Sequence, residues 1–409
     1  MKIIIRNTII GILCFLGLMF GTALTINTFR VIFNYPSIFC IIFKASFFPT
    51  FVSFLVAIPS IFIAPKLFKL LYLILAMIFE WYLYNIWGYI FYKLINIFID
   101  PGTLINFIIF FTIGTITTIY SEINDRHPIF DEIYITCSKI KKGEKINIIH
   151  FTDLHLGACY DEKYAKFLVD KTLLYIKQKN INIDFVVITG DLIDGNIKLT
   201  KEMLEPFNQI TSPIYYVTGN HEDYTWKTEV FELIENNSNI IHIPCNIINY
   251  KDKLNIIGVD YAFPPSKSFN TLMELISSVN NDLPNIVLYH TPFIKVDDLK
   301  KYNIFLFLCG HMHGGQMFPF TLMKYFLNKK FVIEGLFKNE DNTIDNNSEH
   351  YLYCCAGTGS SGPIIGKTFV KPKIGIIILN YFIINHLINF IFILYLFYIL
   401  FIHSYNKKI

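Results

Sequence analysis

The chain has 409 residues, a net charge of +3, and a composition that is 53% hydrophobic and 17% aromatic, with a mean hydropathy of +0.44. That hydropathy exceeds what a water-soluble domain shows, so part of the chain is expected in lipid. The near-balanced charge excludes both the basic footprint of a nucleic-acid binder and the acidic excess of a solvating tail.

Four apolar stretches open the chain, at about 8–26, 46–64, 67–99 and 103–120, each reaching the roughly 18 residues that a membrane crossing needs. Residues 1–120 are therefore expected to form a transmembrane region of about four helices. The first stretch follows Lys2 and Arg6 but leads into no small-residue cleavage site, so it reads as an uncleaved anchor. The third carries Glu80 beside Trp81, with Trp87, Tyr89 and Tyr92 beyond. A carboxyl at membrane depth is a functional-site candidate, while the aromatics around it suit an interfacial position.

Residues 121–145 read as a linker, 146–380 as one soluble domain, and 381–409 as a further membrane helix. With four crossings before the domain, Lys2, Arg6, Lys66 and Lys69 share a side with Arg126, Lys139, Lys141, Lys142 and Lys145. The positive-inside bias then predicts a multi-pass protein of the cell membrane with the domain in the cytoplasm, although Arg30, Lys407 and Lys408 fall on the other side.

Within 146–380, apolar β-branched runs recur at INIIHF, DFVVITG, PIYYVTG, LNIIGVDYAF, NIVLYH, IFLFLCG and KIGIIIL. Amphipathic helical segments such as EKYAKFLVDKTLLYIKQK separate several of them. The alternation predicts an α/β domain with a largely parallel sheet, whose chemistry gathers at the carboxyl ends of its strands. The eight cysteines include no CxxC pair and read as small buried residues rather than staples or zinc ligands; on a strand, Cys354 and Cys355 would point to opposite faces.

The polar residues lie where that architecture places chemistry. Asp153 and His155 follow the first run, Asp191 and Asp194 the second, Asn220 and His221 the third, His290 the fifth, and His311 and His313 the sixth. One such cluster could arise by chance, but five on one edge are hard to account for as packing, because buried carboxylates and imidazoles need partners. The donor set is oxygen and imidazole without thiolate, which suits Mn, Fe or Zn, and it is too large for one tetrahedral ion. Two divalent ions are expected, of the kind that activates hydroxide for in-line displacement at phosphorus.

The series Asp153-Leu-His155, Gly190-Asp191-Leu-Ile-Asp194, Gly219-Asn220-His221-Glu222, His290 and Gly310-His311-Met-His313 resembles the signature of the calcineurin-like metallophosphoesterases, over about 150–360. The resemblance implies a four-layer α/β/β/α sandwich. It also implies that Asp153, His155 and His313 bind one metal, that Asn220, His290 and His311 bind the other, and that Asp191 bridges them. His221 is implied as the acid on the leaving oxygen or as a transition-state clamp, with Asp194 holding its ring or serving as a turn residue. Glu222 and Asp223 read equally as solvated or supporting residues. His311 and His313, taken as an extended pair of period two, would aim at neighbouring ions from one face.

Gly195 stands where the protein Ser/Thr phosphatases carry arginine. The continuation Gly314-Gly315-Gln316 is instead similar to the bacterial membrane-associated branch, as are Gly357, Gly359, Gly362 and Pro363. An arginine common after that segment is missing; Ile365 stands nearby, and Lys367 is the closest cation. His127, His150, His242 and His350 match nothing in the pattern and read as ordinary residues, and 339–349 as a solvated loop.

The expected function is therefore a membrane-anchored phosphohydrolase cleaving phosphoester or pyrophosphate bonds of a phosphorylated small molecule or lipid. No nucleic acid is expected as a partner, and no protein partner is inferable. The rival is a catalytically silent membrane sensor or scaffold.

Overall fold

The computed structural model describes Glu80, Tyr84 and residues 103–381, apart from 196, 224–226, 237–238, 280–281, 319, 324–331, 340–349 and 362–365. It opens with helix α1 (Thr103–Asp125) and strand β1 (Ile129–Cys137). Then come β2 (Lys145–Phe151), α2 (Glu162–Lys179), β3 (Phe185–Thr189), the short α3 (Lys201–Leu204), β4 (Ile214–Val217), α4 (Lys227–Glu235) and β5 (Ile240–His242). The second half holds β6 (Asn246–Tyr250), β7 (Leu254–Gly258), α5 (Pro265–Ser278), β8 (Asn285–Leu288), β9 (Leu306–Cys309), β10 (Gly335–Lys338), β11 (Tyr351–Cys354) and β12 (Lys373–Tyr381).

Two six-stranded sheets result, in the orders β1-β12-β2-β3-β4-β5 and β10-β11-β9-β8-β7-β6. Both are mixed: β2 to β5 run parallel while β12 is antiparallel to β2, and β7, β8, β9 and β11 run parallel while β6 and β10 pair antiparallel at the edges.

Side-chain alternation stacks the layers. In β2, Ile146 and Ile148 enter a core shared with Leu306, Leu308 and Tyr353 of the other sheet, while Ile149 and Phe151 face α2 through Leu168 and Val169. In β9 the same period sends Phe307 and Cys309 the other way, towards Leu272 of α5. One face of each sheet thus packs on the opposite sheet and the other is covered by helices, as a strand period of two requires when both faces are apolar. Cys354 and Cys355 enter different cores, and the cysteines among the described residues are free.

Helix α2 shows why its sequence stops and starts where it does. The Asp161 side chain accepts from the amides of Lys163 and Tyr164, and Asn180 closes the helix in the left-handed region. Glu162 in the first turn and Lys177 and Lys179 in the last complement the helix dipole.

Two expectations change. The segment 121–145, read as a linker, supplies the last turn of α1 and the edge strand β1, which pairs parallel with β12 from Ile129 to Cys137. Its charges hid the strand: Asp131 pairs with Lys373 at 3.1 Å and Glu132 with Lys179 at 3.1 Å, as suits an edge.

The expected bundle of membrane helices gains no support, since among the described residues no helix is long and apolar enough to cross a membrane. The stretch 103–120 is helical, but its helix runs on to Asp125 and buries Ser121, Asn124 and Asp125 against the domain. The other expected spans lie outside the described residues except Glu80 and Tyr84; buried Glu80 accepts a hydrogen bond from Ser121.

Candidate metal centre

β2, β3 and β4 of one sheet and β8 and β9 of the other end at a common edge, and each delivers its polar residues within a few positions of the strand end. Asp153, His155, Asp191, His290 and His313 are nearly or fully buried, and Asn220 and His221 only slightly less so. The turns are tight: Asp153, His155, Asp191, His311 and His313 all have φ between 48 and 70°. A non-glycine residue in this left-handed region costs on the order of 1–3 kcal/mol, a strain that gathers at functional sites. His311 and His313 are thus not an extended pair; Met312 is helical between them and His313 opens a 3-10 turn. The turn, not strand alternation, sends the two rings to different groups.

Close backbone approach makes room for these side chains. A Cβ on Gly219 would collide with the Asp191 carboxylate, and one on Gly310 with Asp153.

The side chains fall into groups able to hold a metal ion: Asp153, His155 and His313; Asp191, His290 and His311; and His155, Asp191 and His221. His155 Nε2 lies 3.2 Å from His313 Nε2, and His313 Nε2 lies 3.4 Å from Asp153 Oδ1. In the second group, His290 Nε2 lies 3.1 Å from Asp191 Oδ2, 3.1 Å from Asn220 Oδ1 and 3.2 Å from His311 Nδ1. Asp191 Oδ2 also faces His155 Nε2 at 3.7 Å, so this one carboxylate stands between the two groups.

Protonation decides what these distances mean. His290 Nδ1 faces the Thr189 carbonyl at 2.9 Å and His313 Nδ1 the Gly359 carbonyl at 3.2 Å, so each carries its proton there and turns the Nε2 lone pair inward. Acceptor then faces acceptor, an arrangement that is favourable only with a cation or proton among them. The residues therefore fit divalent ions, and the carbonyls behind the rings are the outer partners that metal-ligating histidines use.

The ionisation of the cluster follows. Burial would raise the Asp191 carboxyl, but the imidazoles of His290, His221 and His155 outweigh it and hold the group well below the usual carboxylate range. Burial would lower His290, yet Asp191 beside it drives the imidazole up to about 10, so the place at Nε2 that a cation would fill is one where positive charge, as a proton, is strongly held. His311 is pushed down to about 4 by burial and by the neighbouring His290.

Each expected site residue lies at this edge, and the contacts of Asp194, Glu222 and Lys367 add to what the motifs left open. The Asp194 carboxylate lies 3.4 Å from His155 Nδ1 and 3.6 Å from His221 Nδ1, while the His221 ring is held by the main-chain carbonyl of Asp194 at 2.8 Å. Glu222 is fully buried rather than solvated, and accepts from the amides of Gly219 at 2.6 Å, Leu192 at 2.7 Å, Asp191 at 3.2 Å and Ile193 at 3.3 Å. It clasps the Asp191 loop to the Asn220 loop, and burial with the nearby Asp191 charge raises it to about 7. Lys367 is also fully buried; its ammonium donates to the carbonyls of Ala356 and Gly357 at 2.6 and 2.9 Å, so it braces the wall and offers no charge to a substrate phosphate.

The sequence reading missed Thr189 and Ser361, and named Gly359 without a role. Ser361 Oγ lies 3.2 Å from His221 Nε2, and its backbone exchanges two hydrogen bonds with the Gln316 amide. The glycines around 357–362 marked this segment without revealing which carbonyl turns inward. Of the remaining histidines, His150 contacts Thr189 Oγ1, His242 pairs with Asp260, and His350 faces the Ile304 carbonyl.

Residues 146–315 match the sequence profile of the family described as Calcineurin-like phosphoesterase. The chain carries a calcineurin-like metallophosphoesterase domain. It is 29% identical over 238 residues to a Helicobacter pylori protein named "Uncharacterized metallophosphoesterase", which covers 57% of this chain and 59% of the relative. To a metallophosphoesterase of Campylobacter jejuni it is 30% identical over 273 residues, 64% of this chain and 66% of the relative. To a Danio rerio protein named "Transmembrane protein with metallophosphoesterase domain" it is 24% identical, over 61% and 57% of the two chains. The matches thus span about three-fifths to two-thirds of these relatives. With mixed sheets and His/Asp groups able to hold metal, the metallophosphoesterase domain is that of a phosphoester hydrolase family.

Proposed function

We propose that this chain is a membrane-held phosphohydrolase using two divalent ions of the Mn, Fe or Zn class. The observation that carries the reading is the convergence of ring nitrogens from His155, His290, His311 and His313 on either side of the Asp191 carboxylate. Asp153, His155 and His313 would hold one ion, Asn220, His290 and His311 the other, with Asp191 shared between them. Bound there, the ions would polarise the phosphoryl oxygens and activate a water for attack.

The chain's own residues supply orientation and proton handling. Asp191 Oδ1 accepts the His221 amide at 2.9 Å, which sets the His221 loop relative to the bridging carboxylate. Burial lowers His221 from its ordinary value, and its Nδ1 proton is engaged by the Asp194 carbonyl. The ring then presents Nε2 to the site, beside Ser361 Oγ. There it can orient the phosphoryl group, or protonate the leaving oxygen once the negative charge of the substrate raises it.

A lipid-borne phosphoester or pyrophosphate is the substrate class we favour, with the domain on the cytoplasmic side. Supporting it, α1 turns Ile113, Ile116, Ile119 and Ile123 outward, and exposed Tyr120 lies 6.2 Å from exposed Phe369, whose neighbour Thr368 bonds to Gln316 of the histidine loop. Aromatic rings beside an apolar face are the composition of a membrane–water boundary.

The test is hydrolysis of a bis-aryl phosphodiester, an aryl phosphomonoester and a lipid pyrophosphate by full-length protein with Mn²⁺, beside Asp191→Asn. Asp191→Asn should lose roughly 1,000-fold or more in kcat/KM, about 4 kcal/mol of transition-state stabilisation. Faster turnover of the lipid than of the soluble diester supports the substrate class; two bound ions without any turnover would favour the sensor.

A further inference from the structure

The last turn of α1 reaches the metal centre through one short segment. Ser121, Asn124 and Asp125 are nearly or fully buried. Asn124 Nδ2 donates to the carbonyls of Lys367 and Val370 at 2.8 and 2.7 Å, and the Ser121 carbonyl accepts from the Lys367 amide at 3.3 Å. Asp125 Oδ1 accepts from Ser360 Oγ at 2.7 Å, and its other oxygen accepts from the Tyr160 hydroxyl. That hydroxyl in turn accepts from the Ser360 amide at 3.1 Å.

On its opposite side the same segment touches the first ligand group. The Gly359 amide donates to the Asp153 carbonyl at 2.7 Å, and the Gly359 carbonyl fixes His313 Nδ1 at 3.2 Å. Thr358 donates its amide to Thr152 at 3.3 Å and accepts from the Tyr164 hydroxyl at 2.7 Å. A displacement of Ser360 therefore moves the carbonyl that orients His313 and the amide that tethers Asp153. In the second group, His290 meets Thr189, Asp191, Asn220 and His311 rather than this segment, and the link back to Asp153 is the His311 amide, which donates to its carboxylate at 3.0 and 3.1 Å.

We propose that Asp125 is a positioning residue for the ion held by Asp153, His155 and His313, acting through Ser360 and the Gly359 carbonyl. α1 thereby couples its own placement directly to one of the two ion sites, and to the other only at one remove, through the His311 amide on Asp153. The inference rests on the two-ion reading above. Outer partners of metal-binding histidines change affinity by about 10- to 100-fold when removed, so an effect of that size on one site is the expected signature.

The experiment is calorimetric titration of metal-free full-length protein with Mn²⁺, comparing wild type with Asp125→Ala, Asp125→Asn and Ser360→Ala, each also followed by thermal melting without metal. Ser360→Ala leaves the buried Asp125–Tyr160 contact in place and so guards against a result that reflects misfolding. The expected outcome is a loss of about 10-fold in affinity at one of two binding steps for Asp125→Ala and Ser360→Ala. The other step should weaken by much less, and Asp125→Asn, which keeps an acceptor for Ser360, should recover most of the loss. Hydrolysis by Ser360→Ala should fall in kcat at fixed metal with KM unmoved. Unaltered binding at both steps in folded variants, or equal weakening of both, would overturn the proposal. Wild-type protein taking up fewer than two ions would overturn the two-ion reading itself, and this inference with it.

Discussion

On one side of the metal centre, Asp191 and Asn220 stand a few residues past their strands, and what fixes them comes from the same motifs, with Glu222 accepting amides from both loops. On the other side, Gly359 and Ser361 belong to a segment without regular structure, and Ser360 is fixed by Asp125, 235 residues away in the chain. Both sides place groups beside the ligands. The first can assemble as its strands pair, whereas the second exists only after α1, α2 and the late segment have met. Local motif chemistry thus supplies the ligands, and long-range burial supplies the wall that orients some of them.

The sharpest attack on the first side is Glu222→Ala. It strips the acceptor from four buried amides, so unfolding free energy should fall by about 3–5 kcal/mol, read as a lowered denaturation midpoint, with metal uptake weakened at both sites. A variant that melts like wild type would show that the clasp is dispensable and erase the contrast.

The matching attack on the wall is Lys367→Met, which keeps the stem and deletes the ammonium that donates to Ala356 and Gly357. Two buried carbonyls lose their donor, but the cost of burying a cation, which lowers Lys367 from its ordinary value, disappears with it. The net loss should be about 1–2 kcal/mol, smaller than for Glu222→Ala, with the wall loosened and kcat reduced more than stability.

His150 tests the interface between the sheets, behind both sides. Burial pushes its imidazole down to about 3, so the folded protein keeps it neutral while the unfolded chain, near pH 6.5, binds a proton. Its contribution is fully present above about pH 6.5 and is lost as pH falls towards 3, at roughly 1.4 kcal/mol per pH unit. Between pH 6.5 and 5 the wild type should lose about 2 kcal/mol that His150→Gln does not. Parallel stability curves for the two proteins would show that the ring is not held neutral.

The smallest effect is expected far from either side. Lys166 and Asp170 pair at 2.9 Å on the exposed face of α2, and Lys166→Ala should change stability by less than about 0.5 kcal/mol. A larger loss on melting would mean that the α2 surface carries more than a solvated pair.

Much of this molecule was legible in its sequence because its cores obey period two. Ile148 and Ile149 must face opposite ways in an apolar strand, so a sheet covered on both faces follows from the runs, whereas the pairing of two sheets came only with the family resemblance. The residues gathered at the candidate site were legible because carboxylates and imidazoles recur at strand ends. What escaped has physical reasons. β1 is an edge strand whose Asp131 and Glu132 look like linker charges. The His311–His313 turn depends on left-handed backbone at non-glycine residues, which no residue type announces. Glu222 and Lys367 carry charges that ordinarily mark solvent, and only the buried amides and carbonyls they meet, contributed by other segments, explain their place inside.

The ligand groups also have a mechanical reading. Asp153 and His155 descend from the first sheet and His313 from the second; Asp191 and Asn220 come from the first, His290 and His311 from the second. An ion in either group would be a rivet through the seam between two layers whose shared core is apolar. Sliding one layer along the other, or opening the seam at this rim, would pull both coordination spheres apart at once. Metal exchange and layer breathing would then be one motion, and the rate at which the protein gives up its ions would report how tightly its two halves are shut.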